Sequence, residues 1–288
     1  MNPFESVSAL EDATPLDRVT KPVRAGVQRV LGTGAVRDAL HGVWLGHPLH
    51  PVLVQVPIGA FMSAAILDLL PVESKAADTL IAAGMVTSGP AAAAGLADWS
   101  QMHPQQQRVG IVHAAANTVA ATLYGASLVT RRRGHRGRGK ALSLAGLAVL
   151  SFSGFLGGHL AFRQASGANH AEAVPHLVRP GWHDLCALDD LAADGVPQHR
   201  VLDSVSLLVV RQGERIDVLS DRCSHLSGPL HRGTLSSDGE CITCPWHGST
   251  FSLDDGSVRR GPATSPQHAF DVKVENGRLH VRLPGAGG

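Results

Sequence analysis

The chain has 288 residues, enough for two domains, with a formal net charge of +1 and aromatic residues at only 4%. The charge balance leaves one dense basic run, residues 131–140, which is too short and too local for a nucleic-acid face, so nucleic acid is excluded as a partner. Four cysteines, three of them crowded with histidines between 223 and 244, exclude a disulfide framework and favour a metal.

Residues 1–46 read as an N-terminal arm. The first forty residues alternate charged and apolar positions and lack the apolar core of a cleavable signal peptide. Within the arm, PVRAGVQRVLGTGAVRDALHGVW (22–44) alternates apolar and basic positions at helical spacing. It is an amphipathic helix for the surface of a membrane or of a helical bundle, or else a solvated arm.

Residues 47–163 change character, being dominated by Ala, Gly, Leu and Val. Four stretches approach the ~20 residues needed to cross a bilayer: Val52 to Leu70, Thr79 to Ala97, Val109 to Thr130 and Ala141 to Phe162. None carries the charged stripe of a soluble amphipathic helix. Small residues suit close packing in lipid, and Gly154 with Gly158 forms a GxxxG pair. The expectation is an all-α four-helix transmembrane bundle in the bacterial cell membrane. Lys75 and the six basic residues of RRRGHRGRGK (131–140) outnumber the four arginines Arg29, Arg37, Arg108 and Arg163 near the opposite face. That bias places the 131–140 loop in the cytoplasm and both termini outside.

His47 and His50 open the first span, Asp98 and His103 close the second, His113 and Asn117 begin the third, and His159 ends the fourth. Because the spans alternate in direction, all lie at one face, the face that leads into the C-terminal region. Ionisable groups at such depth are functional candidates. For His50, His113 and His159 the expectation is a second, membrane site holding b-type haem, a metal or a quinone. Asp68, at the opposite face, reads as a polar helix end. HPLHPVLVQVPIGAFMSAAILDLL and GLADWS resemble a family of bacterial four-span membrane proteins over most of residues 40–163, which supports the topology and implies little chemistry.

A linker at 164–181 leads to a C-terminal domain at 182–288. VSLLVVR and ERIDVLS flank Gln212-Gly213, and FDVKVE and RLHVRL flank Asn276-Gly277, the pattern of antiparallel hairpins. Between these pairs lie CSHLSGPL (223–230) and CPWHGSTF (244–251). Each loop offers one Cys and one His: Cys223 and His225, then Cys244 and His247. Zinc fingers group like ligands together. Mixed loops instead let two sulfurs hold one iron and two imidazoles the other, the ligation of a Rieske [2Fe–2S] centre. With both halves present, and Gly228-Pro229 and Gly248-Ser249 after them, residues 182–283 resemble the Rieske family. That resemblance implies an all-β antiparallel sandwich, Cys223 and Cys244 on a buried iron, His225 and His247 on an outer iron, and Gly261-Pro262 in a third, shielding loop.

The chain departs from the cytochrome bc branch of that family. The extra cysteines that form a loop-to-loop disulfide there are Gly228 and Trp246 here. A tyrosine that bonds near a ligand cysteine is replaced by Phe251, while Ser249 is kept. Fewer hydrogen bonds to sulfur imply a potential toward the lower end of about −150 to +300 mV. Cys241 reads as a strand position, Cys186 as core, and His231, His268 and His280 as residues without a role.

The expected function is a membrane-anchored electron-transfer protein passing single electrons through the cluster to or from a redox partner protein, haem or quinone. The alternatives are a membrane-tethered ferredoxin of an oxygenase system, or a cluster-based redox sensor. Oxygenase activity itself is not expected, because only about forty residues follow His247 and they hold no mononuclear-iron motif.

Overall fold

The structure is a computed structural model that describes residues 3–70 and 75–285. The first two positions of the expected arm and the last three of the C-terminal domain lie outside the described residues. The chain divides into two compact units, one formed by Met1–Gly34 with Pro48–Ser166, the other by Ala35–His47 with Gly167–Gly288. Residues 35–46, which the sequence places in the arm, and His47, which it places at the first span, therefore belong to the same unit as the β region.

The first unit is helical: α1 (Pro3–Glu11) and α2 (Asp17–Leu31) precede α3 (Ala35–His41) of the other unit, and α4 (Leu49–Leu53) runs on into α5 (Gln55–Leu69). Then follow α6 (Lys75–Trp99), α7 (Pro104–Arg132) and α8 (Arg136–Gly158), which ends in a π-helical turn, His159–Arg163. The start of α7 is written locally: Pro104 fixes the first turn, and the His103 N–H donates to Gln106 Oε1 at 2.9 Å. Among the described residues three segments, Leu49–Leu69, Lys75–Trp99 and Arg136–Arg163, are long and apolar enough to cross a membrane. The 29-residue α7 is not among the three; it carries Gln105, Gln106, Gln107 and Arg108 in its first turns and His113 and Asn117 further on.

Small residues let these helices approach. A side chain at Gly84 would meet the Phe61 ring at 2.7 Å, and one at Gly146 would meet Tyr124 at 3.2 Å. In the space so left, Phe61 and Tyr124 stack with centroids 3.8 Å apart. The expected GxxxG pair does not do this work: a side chain at Gly154 would find open space, and at Gly158 only Phe162 of its own helix, at 3.9 Å. Gly139, against Arg131, Gly146, against Tyr124, and Gly157, against His113, are the α8 glycines that face neighbours among the described residues.

Asp68 is more than a polar helix end. It is buried and paired with the two terminal guanidinium nitrogens of Arg131, while Arg131 also reaches Asp78 at 3.1 Å. An unpaired charge at such a place would cost several kcal/mol, so these groups occur together. At the other end, Arg108 holds Asp17 at 2.7 Å and the Glu11 carbonyl at 2.6 Å, which ties α1 and α2 to α7.

Among the described residues the second unit has, besides α3, a short helix α9 (Val174–Leu177) and ten strands: β1 (His183–Ala187), β2 (Gln198–Leu202), β3 (Val205–Gln212), β4 (Arg215–Ser220), β5 (Thr234–Leu235), β6 (Cys241–Thr243), β7 (Thr250–Ser252), β8 (Val258–Arg260), β9 (Asp271–Glu275) and β10 (Arg278–Arg282). They form three antiparallel sheets, ordered β1-β10-β9, β2-β3-β4 and β5-β6-β7-β8. Both expected hairpins are present, β3-β4 and β9-β10. Asn276 and Gly277 both have positive φ, 51° and 73°, as a tight two-residue turn requires.

β3 explains its own composition. The run Leu207-Leu208-Val209-Val210 is fully buried on both faces. Leu207 and Val209 enter a base core with Cys186, Val218, Leu279 and Val281. Leu208 and Val210 enter a second core with Leu219, Leu230, Ile242, Phe251, Cys223 and Cys244. An unbroken apolar run, rather than alternation, is what a strand between two cores needs.

Candidate metal centre

Two loops of the second core carry the ligand set, and their backbones repeat one another. In the first, Cys223 N–H donates to the Gly228 carbonyl at 2.9 Å and Ser227 N–H donates to the Cys223 carbonyl at 2.8 Å. In the second, Cys244 N–H donates to the Ser249 carbonyl at 2.8 Å and Gly248 N–H to the Cys244 carbonyl at 3.2 Å. The fourth residue after each cysteine turns left-handed, Ser227 at φ 61° and Gly248 at φ 78°. Glycine suits that conformation.

The cysteines are buried, 1% and 3% exposed, whereas His225 and His247 are half-buried. The two sulfurs are hydrogen-bonded to each other, and the imidazole centroids stand 5.0 Å apart at 85°. Backbone N–H groups of His225 and Leu226 point at the Cys223 sulfur, and those of Trp246 and His247 at the Cys244 sulfur. The hydrogen bond from Cys223 draws the Cys244 thiol down to about 7, while the same contact pushes Cys223 well above the ordinary range. The pair thus gives up a first proton readily and a second with difficulty, as two thiols in hydrogen-bond contact do. Buried sulfurs surrounded by N–H donors, with an imidazole pair nearer the surface, fit a [2Fe–2S] group in the mixed ligation described above.

The neighbours of this centre are close. A side chain at Gly228 would meet the Cys244 sulfur at 2.8 Å and the Trp246 ring at 3.2 Å. Gly228 and Trp246 thus pack against each other where the bc branch has a disulfide. Phe251 is fully buried in the same core. Ser249, also fully buried, accepts the Ala263 N–H at 2.9 Å, which leaves its hydroxyl proton to donate. Cys186 lies in the base core as expected; Cys241 is on β6 but only half-buried.

Two supports were not legible in the sequence. The Arg37 guanidinium of α3 donates to the Gly261 carbonyl at 3.0 Å, and Asp38 Oδ1 accepts the Gly261 N–H at 3.1 Å. A side chain at Gly261 would strike Val43 at 2.8 Å. The segment 35–47 is therefore a strap on the Gly261-Pro262 loop. In addition, His170 N–H donates to the Ser224 carbonyl at 2.9 Å and Ala171 accepts from His268 Nε2 at 3.1 Å, so residues read as linker brace the first cluster loop. Both contacts span long stretches of chain and leave no local periodicity to detect.

In the helical unit, His50 and His113 come together, with ring centroids 6.5 Å apart at 86°. His50 Nδ1 faces the Ala91 carbonyl at 2.8 Å and His113 Nδ1 the Ser153 carbonyl at 2.8 Å, while Asn117 Nδ2 reaches His113 Nε2 at 3.1 Å. Gly95 lies against the His50 ring and Gly157 against that of His113. His159 is engaged elsewhere: its Nε2 meets Glu11 Oε1 at 2.7 Å, and it lines a cavity of about 510 Å³ with Phe155, Phe162 and Arg163.

The profile of the Rieske [2Fe-2S] domain matches residues 181–274, and that of a predicted membrane protein family, DUF2231, matches residues 46–170. Ferredoxin CarAc of Metapseudomonas resinovorans is 32% identical over 35% of this chain and 92% of its own length. The anthranilate 1,2-dioxygenase ferredoxin subunit of Burkholderia cepacia is 29% identical over 35% of this chain and 92% of its own. Among solved structures, the ferredoxin of carbazole 1,9a-dioxygenase from Nocardioides aromaticivorans IC177 is 29% identical, covering 35% of this chain and 97% of that one with a TM-score of 0.34. These relatives thus reach only about a third of the chain, and the helical unit and strap lie outside them. A Rieske domain with ferredoxin relatives supports a [2Fe–2S] electron-transfer role, and the DUF2231 match with three apolar helices supports a membrane location. The chain belongs to the Rieske [2Fe-2S] family, and joins its Rieske domain to a DUF2231 membrane-protein domain in one polypeptide.

Proposed function

We propose that this protein is a membrane-anchored Rieske electron carrier in which Cys223, Cys244, His225 and His247 hold a [2Fe–2S] cluster. The observation that carries the proposal is the pair of loops with matching backbone turns, each presenting one buried sulfur and one half-buried imidazole. When bound, the cluster supplies one-electron storage. The N–H groups of His225, Leu226, Trp246 and His247 favour the extra negative charge of the reduced state, and the half-buried imidazoles give the electron a route to a partner. Trp246, 48% exposed, lies 6.3 Å from the His247 ring and offers an aromatic surface for docking a redox protein. The potential lies in the lower part of the Rieske range, about −150 to +300 mV.

The helical unit acts as a four-span anchor, with α7 as the third crossing in chain order and the Rieske head outside the cytoplasm. The His50–His113 pair supports a redox group inside that anchor, since each Nδ1 is held by a carbonyl and each ring is aimed by packing. Electrons then pass between membrane and head. In a second reading the head is the ferredoxin of an oxygenase system; it is favoured by a relative named as the ferredoxin subunit of anthranilate 1,2-dioxygenase, and the anchor then carries no redox group.

Spectroscopy of detergent-purified protein tests both. A dithionite-reducible Rieske paramagnetic signal with two irons and two labile sulfides per chain is expected. An additional b-type absorbance band lost in His113→Ala supports the first reading; a colourless anchor with a head reduced by a soluble reductase supports the second. One zinc with no iron overturns the electron-carrier proposal.

A further inference from the structure

Beside the cluster loops stands a second set of ligating side chains that the cluster does not use. His199 lies on β2, Asp221 directly follows β4, and His231 lies in the 3₁₀ turn Leu230–Arg232 that closes the first loop. One ligand atom from each lies within 4.8 Å of the others. We propose that His199, Asp221 and His231 form a second metal site, for a borderline divalent cation of the zinc class.

The arrangement has the parts such a site needs. Asp221 is 2% exposed, yet its carboxylate is not spent on a lysine or arginine. Oδ1 accepts the backbone N–H of His231 at 2.7 Å, which fixes the carboxylate plane; Oδ2 faces His231 Nδ1 at 2.7 Å and accepts from Ser206 Oγ at 3.1 Å. His199 Nε2 faces the same Ser206 hydroxyl at 2.6 Å, and the two imidazole centroids are 4.8 Å apart. Two imidazoles and a carboxylate are the donor set of zinc, and of copper, nickel and cobalt, whereas calcium and magnesium prefer oxygen alone.

Ligands ~2.0 Å from a tetrahedral ion stand ~3.3 Å from each other. The His231–Asp221 pair therefore opens slightly from 2.7 Å, and the most distant pair closes from 4.8 Å. His199 is exposed, so its ring has room to swing inward as it gives up the Ser206 contact. On binding, His231 shifts its imidazole proton from Nδ1 to Nε2, so that Nδ1 gives its lone pair to the ion. No electron moves.

The ion would sit at the base of the first cluster loop. The Asp221 carbonyl accepts Leu230 N–H at 2.9 Å, and Asp221 is two residues from Cys223. Binding therefore staples that loop to β2 and places two positive charges near both cysteines, which favours the reduced cluster and raises its potential.

The test uses the full-length, tag-free protein in detergent, retaining two irons and its labile sulfide, washed with EDTA and titrated with zinc chloride by calorimetry. Counting zinc on chains that keep both irons separates this site from zinc in an emptied cluster site. The expected result is one zinc per chain, with His199→Gln and His231→Gln each weakening binding at least tenfold. Copper(II) in place of zinc gives a paramagnetic spectrum with couplings from two imidazole nitrogens. Zinc raises the cluster potential of the unaltered protein and leaves that of the double variant unmoved. The cluster absorption of each variant checks that it folds. No zinc beyond the irons, or equal affinity in the double variant, overturns the proposal.

Discussion

Gly228→Ala is the sharpest probe of the cluster loops. The new methyl would stand 2.8 Å from the Cys244 sulfur and 3.2 Å from two atoms of the Trp246 indole. A comfortable contact needs ~3.5 Å or more, so the methyl is short of room by ~0.7 Å on the sulfur side. The half-exposed indole is able to swing away. The sulfur is not, because a thiolate bound to iron is fixed by its bond length. The strain therefore falls on the holo form, and overpacking of this kind costs about 1–3 kcal/mol. At about 1.4 kcal/mol per tenfold, that is about a 5- to 140-fold weaker hold on the cluster. The assay is the rate of loss of the visible Rieske absorption under excess chelator, beside iron and sulfide content. Faster bleaching with a nearly unchanged β-sheet circular dichroism signal is expected. Unchanged bleaching and full iron content would refute the reasoning, since they would mean that the indole and methyl together find room without touching the sulfur.

Phe251→Tyr returns a phenol to the fully buried second core, and a hydrogen bond worth ~1.4 kcal/mol more to the reduced than to the oxidised cluster raises its potential by ~60 mV; a potentiometric titration showing no rise or a fall refutes it. Arg37→Met removes a buried charged donor from the Gly261 carbonyl, with an expected loss of about 1.5–3 kcal/mol in denaturant unfolding of the β unit, and an unchanged midpoint would contradict the strap. His268 has its pKa lowered, chiefly by burial, so the unfolded chain binds more protons there. Its contribution is intact above the unfolded value near 6.5 and declines as pH falls below it. His268→Gln should therefore flatten the fall in melting temperature between about pH 7 and 5, and an equally steep fall would count against it.

Residue type and spacing carried the four candidate ligands into view, because metal chemistry demands particular atoms and two short loops carry all four of these side chains. The β hairpins were legible for a similar reason, their turns being set by Asn276-Gly277 and by the Gly213 turn. What sequence patterning concealed was non-local. His231 lay in plain sight but acquires meaning only when β2 brings His199 beside it, and Asp68 only when α7 brings Arg131. Composition also misled at Gly154 and Gly158, since a glycine repeat says that a close approach is available, not that a neighbour uses it. His113 and Asn117 likewise dilute the third apolar stretch, and Gln106 and Gln107 just before it serve the helix start rather than lipid.

The strap also fixes an order of events at the ribosome. Arg37 and its acceptor Gly261 are separated by 224 residues. At about 5–20 residues per second, the first waits roughly 10–45 s for the second to be made. During that interval every apolar helix is translated, so the strap emerges before the membrane segments and finds its seat only after them. Cutting out residues 181–274 as a free-standing ferredoxin would leave that seat bare, however faithfully the family boundary is followed.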